Sequence, residues 1–163
     1  MENNYIIPAQ TRIGHVHLKS ANLERSLEFY CGLLGFELTT RYGDSAAFIS
    51  AGGYHHHIGL NTWFSKGMPP AKVNSPGLFH TAILYPIRKD LARIYKRLLD
   101  KGYPLTGTAD HGVSEALYLN DPDENGVELY YDRPAAHWPK NDDGSLRMYT
   151  RALDLEDLLK ELA

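Results

Sequence analysis

Glu128 is the residue of this chain whose setting most needs an explanation. It stands between Val127 and Leu129 in the run Val127–Tyr131, where every other residue is apolar or aromatic. A carboxylate in such a strand must meet a cation or a hydrogen-bond donor, because an unpaired buried charge is too costly. A turn signal precedes it, Asp121-Pro122-Asp123 followed by Asn125-Gly126. Proline presets φ, Asn and Asp close local hydrogen bonds, and Gly126 can take φ > 0. The expectation is a hairpin of strands Ala116–Asn120 and Val127–Tyr131, with Tyr118 and Glu128 on neighbouring strands. The chain also carries eight histidines, three of them consecutive (His55, His56, His57) and two flanking a valine (His15, His17). Two histidines and one carboxylate with open positions form the donor set of non-haem Fe(II) oxygen chemistry. A four-ligand version would suit Lewis-acid isomerisation, and a closed tetrahedral set would suit structural zinc.

The elements that must position these groups read as follows. Ile13–Lys19 alternates as a strand. Asn22 caps a helix over Leu23–Leu33, in which Leu23, Leu27, Tyr30 and Leu34 fall at helical spacing, and Gly32 and Gly35 end it. Strands follow over Phe36–Tyr42, Ala46–Ser50 and His56–Thr62. After a Gly-, Pro-, Lys- and Ser-rich stretch the pattern starts again. Leu78–Tyr85 reads as a strand and Arg88–Lys101 as a helix, Tyr103–Thr106 opens the next strand, and the hairpin completes the unit. Leu155, Leu158, Leu159 and Leu162 mark a short helix at Leu153–Leu162.

The two halves register on one another. His15 matches His80 at an offset of 65, and Gly35-Phe36-Glu37-Leu38 matches Gly102-Tyr103-Pro104-Leu105 at an offset of 67. From Ile49 and Leu119 onward an ungapped offset of 70 pairs Ile58 with Glu128. Such a repeat implies two similar modules about a pseudo-twofold, with equivalent positions facing a shared cavity. His15, His80 and Glu128 would then converge, and Ile58, where a fourth ligand would stand, leaves that corner empty. The predicted architecture is α+β, two βαβββ modules forming an incompletely closed eight-stranded barrel with a C-terminal helical tail. Its boundaries within a single domain of residues 1–163 are module one at 11–64, linker at 65–76, module two at 77–134 and tail at 135–163.

Composition sets outer limits. Hydrophobic residues make up 43 % and charged residues 23 % of the chain, as in an ordinary globular protein with a core of its own. A net charge of −3 gives no electrostatic reason to expect nucleic acid or an anionic membrane as partner. The single cysteine, Cys31, forms no intrachain disulfide and reads as a packed helix residue. No apolar run approaches a membrane span, and residues 1–10 lack the pattern of a signal peptide, so a cytoplasmic location is expected.

IGHVHL followed by LERSLEFYCGLLGFEL, GLFHTAIL, and ALYLNDPDENGVELY together resemble the vicinal oxygen chelate superfamily over about residues 11–134. That superfamily takes in glyoxalase I, the bleomycin- and fosfomycin-resistance proteins and the extradiol catechol dioxygenases. SAAFISAGGYHHHIGLNTW and DHGVSEALYLNDPDENGVELYYDRP resemble the catechol 2,3-dioxygenase-like members in particular. The resemblance implies that His15, His80 and Glu128 hold Fe(II) or, less often, Mn(II), and that Tyr118 hydrogen-bonds a substrate oxygen. It further implies that His111 donates to a substrate oxygen from outside the ligand set. An acid/base histidine beside bound dioxygen falls on His56, with His55 and His57 the alternatives one residue to either side. His17 and His137 read as surface or packing residues.

The expected activity is extradiol cleavage of a catechol-type aromatic diol by O2. A glyoxalase-type isomerase or thiol transferase, and a metal-free binding or resistance protein, are the rivals. The leucine-rich tail and the habit of the superfamily point to a homodimer. Many extradiol enzymes of this type carry four such modules, and this chain has two.

Overall fold

Residues 4–72 and 74–163 are described by a computed structural model. The first half of the chain runs β1 (Val16–Lys19), α1 (Leu23–Leu27), β2 (Glu37–Tyr42), β3 (Ala46–Ser50) and β4 (Ile58–Asn61). The second runs β5 (Thr81–Leu84), α2 (Arg88–Asp100), β6 (Gly107–Asp110), β7 (Ser114–Asn120) and β8 (Gly126–Asp132), and α3 (Leu155–Lys160) follows. Both halves have the expected βαβββ order. The strands form two four-stranded sheets, ordered β1-β4-β3-β2 and β5-β8-β7-β6. In each sheet the first strand lies parallel to the fourth and the remaining pairs are antiparallel. The sheets do not close into a barrel, and with the helical tail they make the open eight-stranded architecture the repeat predicts.

The strands are shorter than alternation suggests, so His15, His56 and His80 all stand just before β1, β4 and β5 respectively. The first helix also departs from the expected single span. The Asn22 side chain accepts from the Arg25 N–H at 3.1 Å, a standard N-cap. After Leu27 the helix widens into a π-helical turn, Glu28–Leu33, in which the Leu34 N–H reaches back five residues to the Phe29 carbonyl. Phe29 and Tyr30 are buried there, and Cys31 is half-buried.

One apolar cluster joins the two halves. It includes Ile49, Ile58 and Leu60 of the first sheet, Leu117, Leu119 and Leu129 of the second, and residues of α2 and α3. Two aspartates of the β7–β8 turn add polar ties. Asp121 takes the N–H groups of Asp123 and Asn125 at 2.8 and 2.9 Å, as turn chemistry predicts. It also accepts from the buried Tyr30 hydroxyl at 2.9 Å. Asp123 pairs with Arg25 and accepts from the Ala21 N–H at 3.2 Å. The left-handed residue of this turn is Glu124, with φ of 63°, rather than Gly126.

Strand pairing moves the internal register by one residue. Ile49 stands opposite Ile58, whereas Leu119 stands opposite Val127, so the first-half turn is one residue longer. Phe48 faces Gly59 where Tyr118 faces Glu128. Beside the first strands, His17 is level with Gly59 and Ala82 with Glu128. The structural counterpart of Glu128 is therefore Gly59, not Ile58. A Cβ at Gly59 would lie 2.9 Å from His17 Nδ1, so the His17 ring occupies the place a side chain would need.

The tail is fastened by charge as well as by Leu158. Buried Glu115 accepts from Arg88 Nε at 2.8 Å and from Arg133 at 2.7 Å. Arg88 also reaches Asp157 at 2.9 Å and Glu161 at 3.1 Å on or beside α3. Removing the charge at Glu115 leaves two half-buried guanidinium groups short of their shared acceptor. Glu115→Gln is expected to lower unfolding stability by about 2–3 kcal/mol. Urea denaturation should show it as a lower midpoint with an unchanged slope.

Candidate metal and acid-base centre

Glu128 is the third residue of β8 and lies level with Ala82 on the parallel strand β5. His80, two residues before Ala82, therefore projects on the same face of the sheet. Its Nε2 lies 2.9 Å from Glu128 Oε2. The other carboxylate oxygen, Oε1, accepts from the Tyr118 hydroxyl at 3.0 Å, across the antiparallel β7–β8 pair. The same hydroxyl lies 2.8 Å from Nε2 of His111, in the segment between β6 and β7. A connected series thus runs His80, Glu128, Tyr118, His111. The carboxylate that looked anomalous in an apolar strand is answered on both oxygens.

Gly126 makes the first of these contacts possible. A Cβ there would fall 2.3 Å from the Phe79 carbonyl oxygen and 3.1 Å from His80 Cβ. The lead-in to β5 presses directly on Gly126, and that approach sets His80 against Glu128. Sequence reasoning assigned this glycine a turn conformation instead. Burial, together with the hydrogen bond to Glu128 and its charge, pushes the Tyr118 hydroxyl up to about 12, so it stays a phenol at neutral pH. An open cleft of about 630 Å³, lined in part by Leu78, Phe79 and Gly126, takes in two members of this series, His80 and Tyr118. That volume is within the range of small-molecule sites.

The first sheet carries a different group. The His15 ring lies 4.4 Å from the His56 ring, and His56 lies 5.0 Å from Phe48. His55 and His56 approach through their Nδ1 atoms at 2.7 Å, so one must donate to the other. His57 turns away to Ser50, 3.0 Å from its hydroxyl. Of the three consecutive histidines, His56 is the one beside His15, although regular alternation from Gly59 would put His57 on that face, because the segment before β4 is not regular strand. Burial and then the neighbouring His15 and His55 depress the His56 imidazole below its usual range. His17 covers Gly59 and packs near Trp63, in keeping with a packing role. His137 is exposed in a short 3-10 turn, Ala135–His137.

His80 and Glu128 satisfy part of what a metal ion requires. Two donor atoms at about 2.1 Å from one ion, in adjacent octahedral corners, lie about 3 Å apart. The His80–Glu128 separation of 2.9 Å matches that spacing. Among the described residues His80 Nδ1 is buried with no hydrogen-bond partner, so the ring's proton points at Glu128, and an ion bound at Nε2 would require it on Nδ1 instead. His15 does not join this pair, and among the described residues no three His, Cys, Asp or Glu side chains stand where they could share one ion. Two of the three expected donors are thus adjacent, and the third faces the other sheet's histidine group.

The chain matches the model of the glyoxalase/bleomycin resistance protein/dioxygenase superfamily over residues 12–129. It is 42 % identical over 155 residues to a catechol-2,3-dioxygenase of Bacillus subtilis (strain 168), covering 95 % of this chain and 53 % of that protein. It is 32 % identical over 121 residues to biphenyl-2,3-diol 1,2-dioxygenase 3 of Rhodococcus globerulus, covering 74 % of this chain and 63 % of that protein. The chain therefore spans between about half and two thirds of the length of these relatives. A crystal structure of a glyoxylase/bleomycin resistance protein/dioxygenase domain from Frankia sp. EAN1pec superposes with a TM-score of 0.64 at 25 % identity, covering 78 % of this chain and 96 % of that one. Two open βαβββ sheets, a histidine–carboxylate pair at the start of β5 and a family match across both halves define one class. The chain belongs to the vicinal oxygen chelate superfamily, the group of the glyoxalases, bleomycin resistance proteins and dioxygenases. Among the described residues no helix is long and apolar enough to cross a membrane.

Gly126→Ala should force the Phe79–His80 backbone away from β8. We expect about 1–3 kcal/mol of lost stability from overpacking. The His80–Glu128 contact should open with it. Thermal denaturation checks the first effect and histidine NMR shifts the second.

Proposed function

We propose that the protein is a divalent-metal-dependent extradiol dioxygenase that opens a catechol-type aromatic diol with O2, using Fe(II) or Mn(II). The observation that carries this reading is the unbroken series His80–Glu128–Tyr118–His111, of which His80 and Tyr118 line an open cleft. The names of the relatives, a catechol-2,3-dioxygenase and a biphenyl-2,3-diol 1,2-dioxygenase, support the same substrate class.

In this reading His80 and Glu128 would hold the ion, and His15, which stands apart from them in the first sheet, would be its third ligand. Bound there, the ion supplies Lewis acidity toward a chelating diol and redox capacity toward dioxygen. The remaining work falls to the chain's own side chains. Tyr118, held as a phenol, donates its hydrogen bond to a diol oxygen and fixes the ring's orientation. His111, behind Tyr118, would take a diol proton relayed through the Tyr118 hydroxyl and return it by the same route at ring opening. His56, adjoining His15, serves as the second acid/base. A ring positioned between Phe79 and Tyr118 would exclude water from that wall.

A glyoxalase-type isomerase is less well supported, because the position equivalent to Glu128 in the first sheet is Gly59, roofed by His17, and offers no further carboxylate. A metal-free binding protein leaves unexplained a carboxylate held by two donors, His80 and Tyr118, that themselves line a cleft.

Anaerobic reconstitution with Fe(II) tests the reading. The wild-type protein should retain iron, take up O2 with catechol and form a yellow ring-cleavage product. His80→Ala, Glu128→Ala and His15→Ala should each lose bound iron and O2 uptake. His111→Gln should keep the iron and lower kcat about 10²–10³-fold. A wild-type protein that holds no metal, or holds it and consumes no O2 with a panel of catechols, overturns the proposal.

A further inference from the structure

The segment after β8 does more than lead to α3. It returns across the second sheet and pairs with the end of β6. Asp110 and Arg151 exchange both main-chain hydrogen bonds at 2.9 Å. The Tyr149 N–H gives to the His111 carbonyl at 3.3 Å. The Tyr149 ring lies on Gly112, where a Cβ would fall 2.7 Å from the Tyr149 ring and 2.8 Å from Pro139, and where φ is +79°. The Arg151 guanidinium lies over that ring, 4.2 Å from its centre. Gly112 is thus required both by its backbone conformation and by the side chain seated on it.

This strap decides where the proton of His111 sits. His111 Nδ1 lies 3.1 Å from the Tyr149 carbonyl oxygen. A carbonyl has no hydrogen to give, so this contact is a hydrogen bond only when Nδ1 carries the proton. The Thr150 hydroxyl, 3.2 Å away, can share that N–H as a second acceptor, whereas in the opposite tautomer it would be the group that donates to Nδ1. A neutral imidazole has one N–H, so Nε2 is left bare, and Nε2 is the atom 2.8 Å from Tyr118. In the free side chain the opposite tautomer predominates. Tyr118 has a single hydroxyl proton and faces two acceptors, His111 Nε2 and Glu128 Oε1. With neutral His111 in the Nδ1–H tautomer the Glu128–Tyr118–His111 series is therefore one proton short. It becomes fully satisfied when Nε2 gains one, with Nε2–H donating to Tyr118 and Tyr118 donating to Glu128.

We propose that the Tyr149–Arg151 strap is a positioning element that holds His111 in the Nδ1–H tautomer, making Nε2, the atom that faces Tyr118, the proton acceptor. Its consequence for turnover rests on the dioxygenase reading. The tautomer itself does not, and it is measured without metal or substrate.

Long-range 1H–15N correlation spectra of protein labelled at histidine, with His111 assigned by its loss in His111→Gln, read the tautomer directly. At a pH where the ring is neutral, wild-type His111 should show a protonated Nδ1 and a bare Nε2. Tyr149→Phe keeps the ring seat and should give the same pattern. The double variant Tyr149→Ala/Arg151→Pro removes the ring and the Arg151 N–H that holds the strap, and should shift His111 toward the Nε2–H form. Under the dioxygenase reading the same variant should lower kcat at least about tenfold with KM for catechol little changed. A wild-type His111 protonated at Nε2 overturns the proposal. So does a double variant that keeps its circular dichroism and the wild-type tautomer. A shifted tautomer with unchanged kcat supports the strap and instead removes His111 from the catalytic reading.

Discussion

A carboxylate set among apolar strand residues has to be answered from within the sheet, and the second half of this protein is arranged to do so. Glu128 can be half-buried because β5 brings an imidazole to one oxygen and β7 brings a phenol to the other. Each of those donors is held in turn. His80 is set by the close approach of its backbone to Gly126, and Tyr118 by direct pairing across the hairpin. The series continues to His111 and from there to the main chain of the tail. Polar groups so linked are costly to leave half-satisfied, which is why a loop, a hairpin and a returning strap all meet at one cleft.

The two halves share a topology and differ in what their inner faces offer. The second sheet presents an ordered acid–base series, and the first presents clustered imidazoles with aromatic neighbours. The aspartates of the β7–β8 turn, Asp121 and Asp123, tie that sheet to the helix of the other half through Tyr30 and Arg25. Charges that could have been read as solvent-facing turn residues are instead buried at the join.

Much of this was legible in the residues. Binary patterning and turn chemistry located both βαβββ units, and the repeat singled out His15 and His80 as equivalent. Local spacing put Tyr118 beside Glu128. What escaped has physical causes. An ungapped alignment cannot see that one turn has an extra residue, so Ile58 was taken for the counterpart of Glu128 where pairing shows Gly59. The π-helical turn leaves no periodic mark over six residues. The role of Gly126 depends on a backbone distant in sequence, and that of Gly112 on a ring thirty-seven positions further along. Such contacts are tertiary, and local propensity carries no trace of them. The missing third donor belongs to the same kind: residue type names His15, but side-chain placement is a matter of how two sheets meet.

The unequal turns have an implication for how the halves relate. If both descend from one duplicated unit, they have drifted out of step by a single position at the connection before the last strand. Transplanting the β7–β8 sequence into the first half would then need one residue deleted from the Ala51–His57 connection. Without that deletion, the grafted glutamate would arrive on the helix side of the sheet, among leucines, with its intended partners behind it.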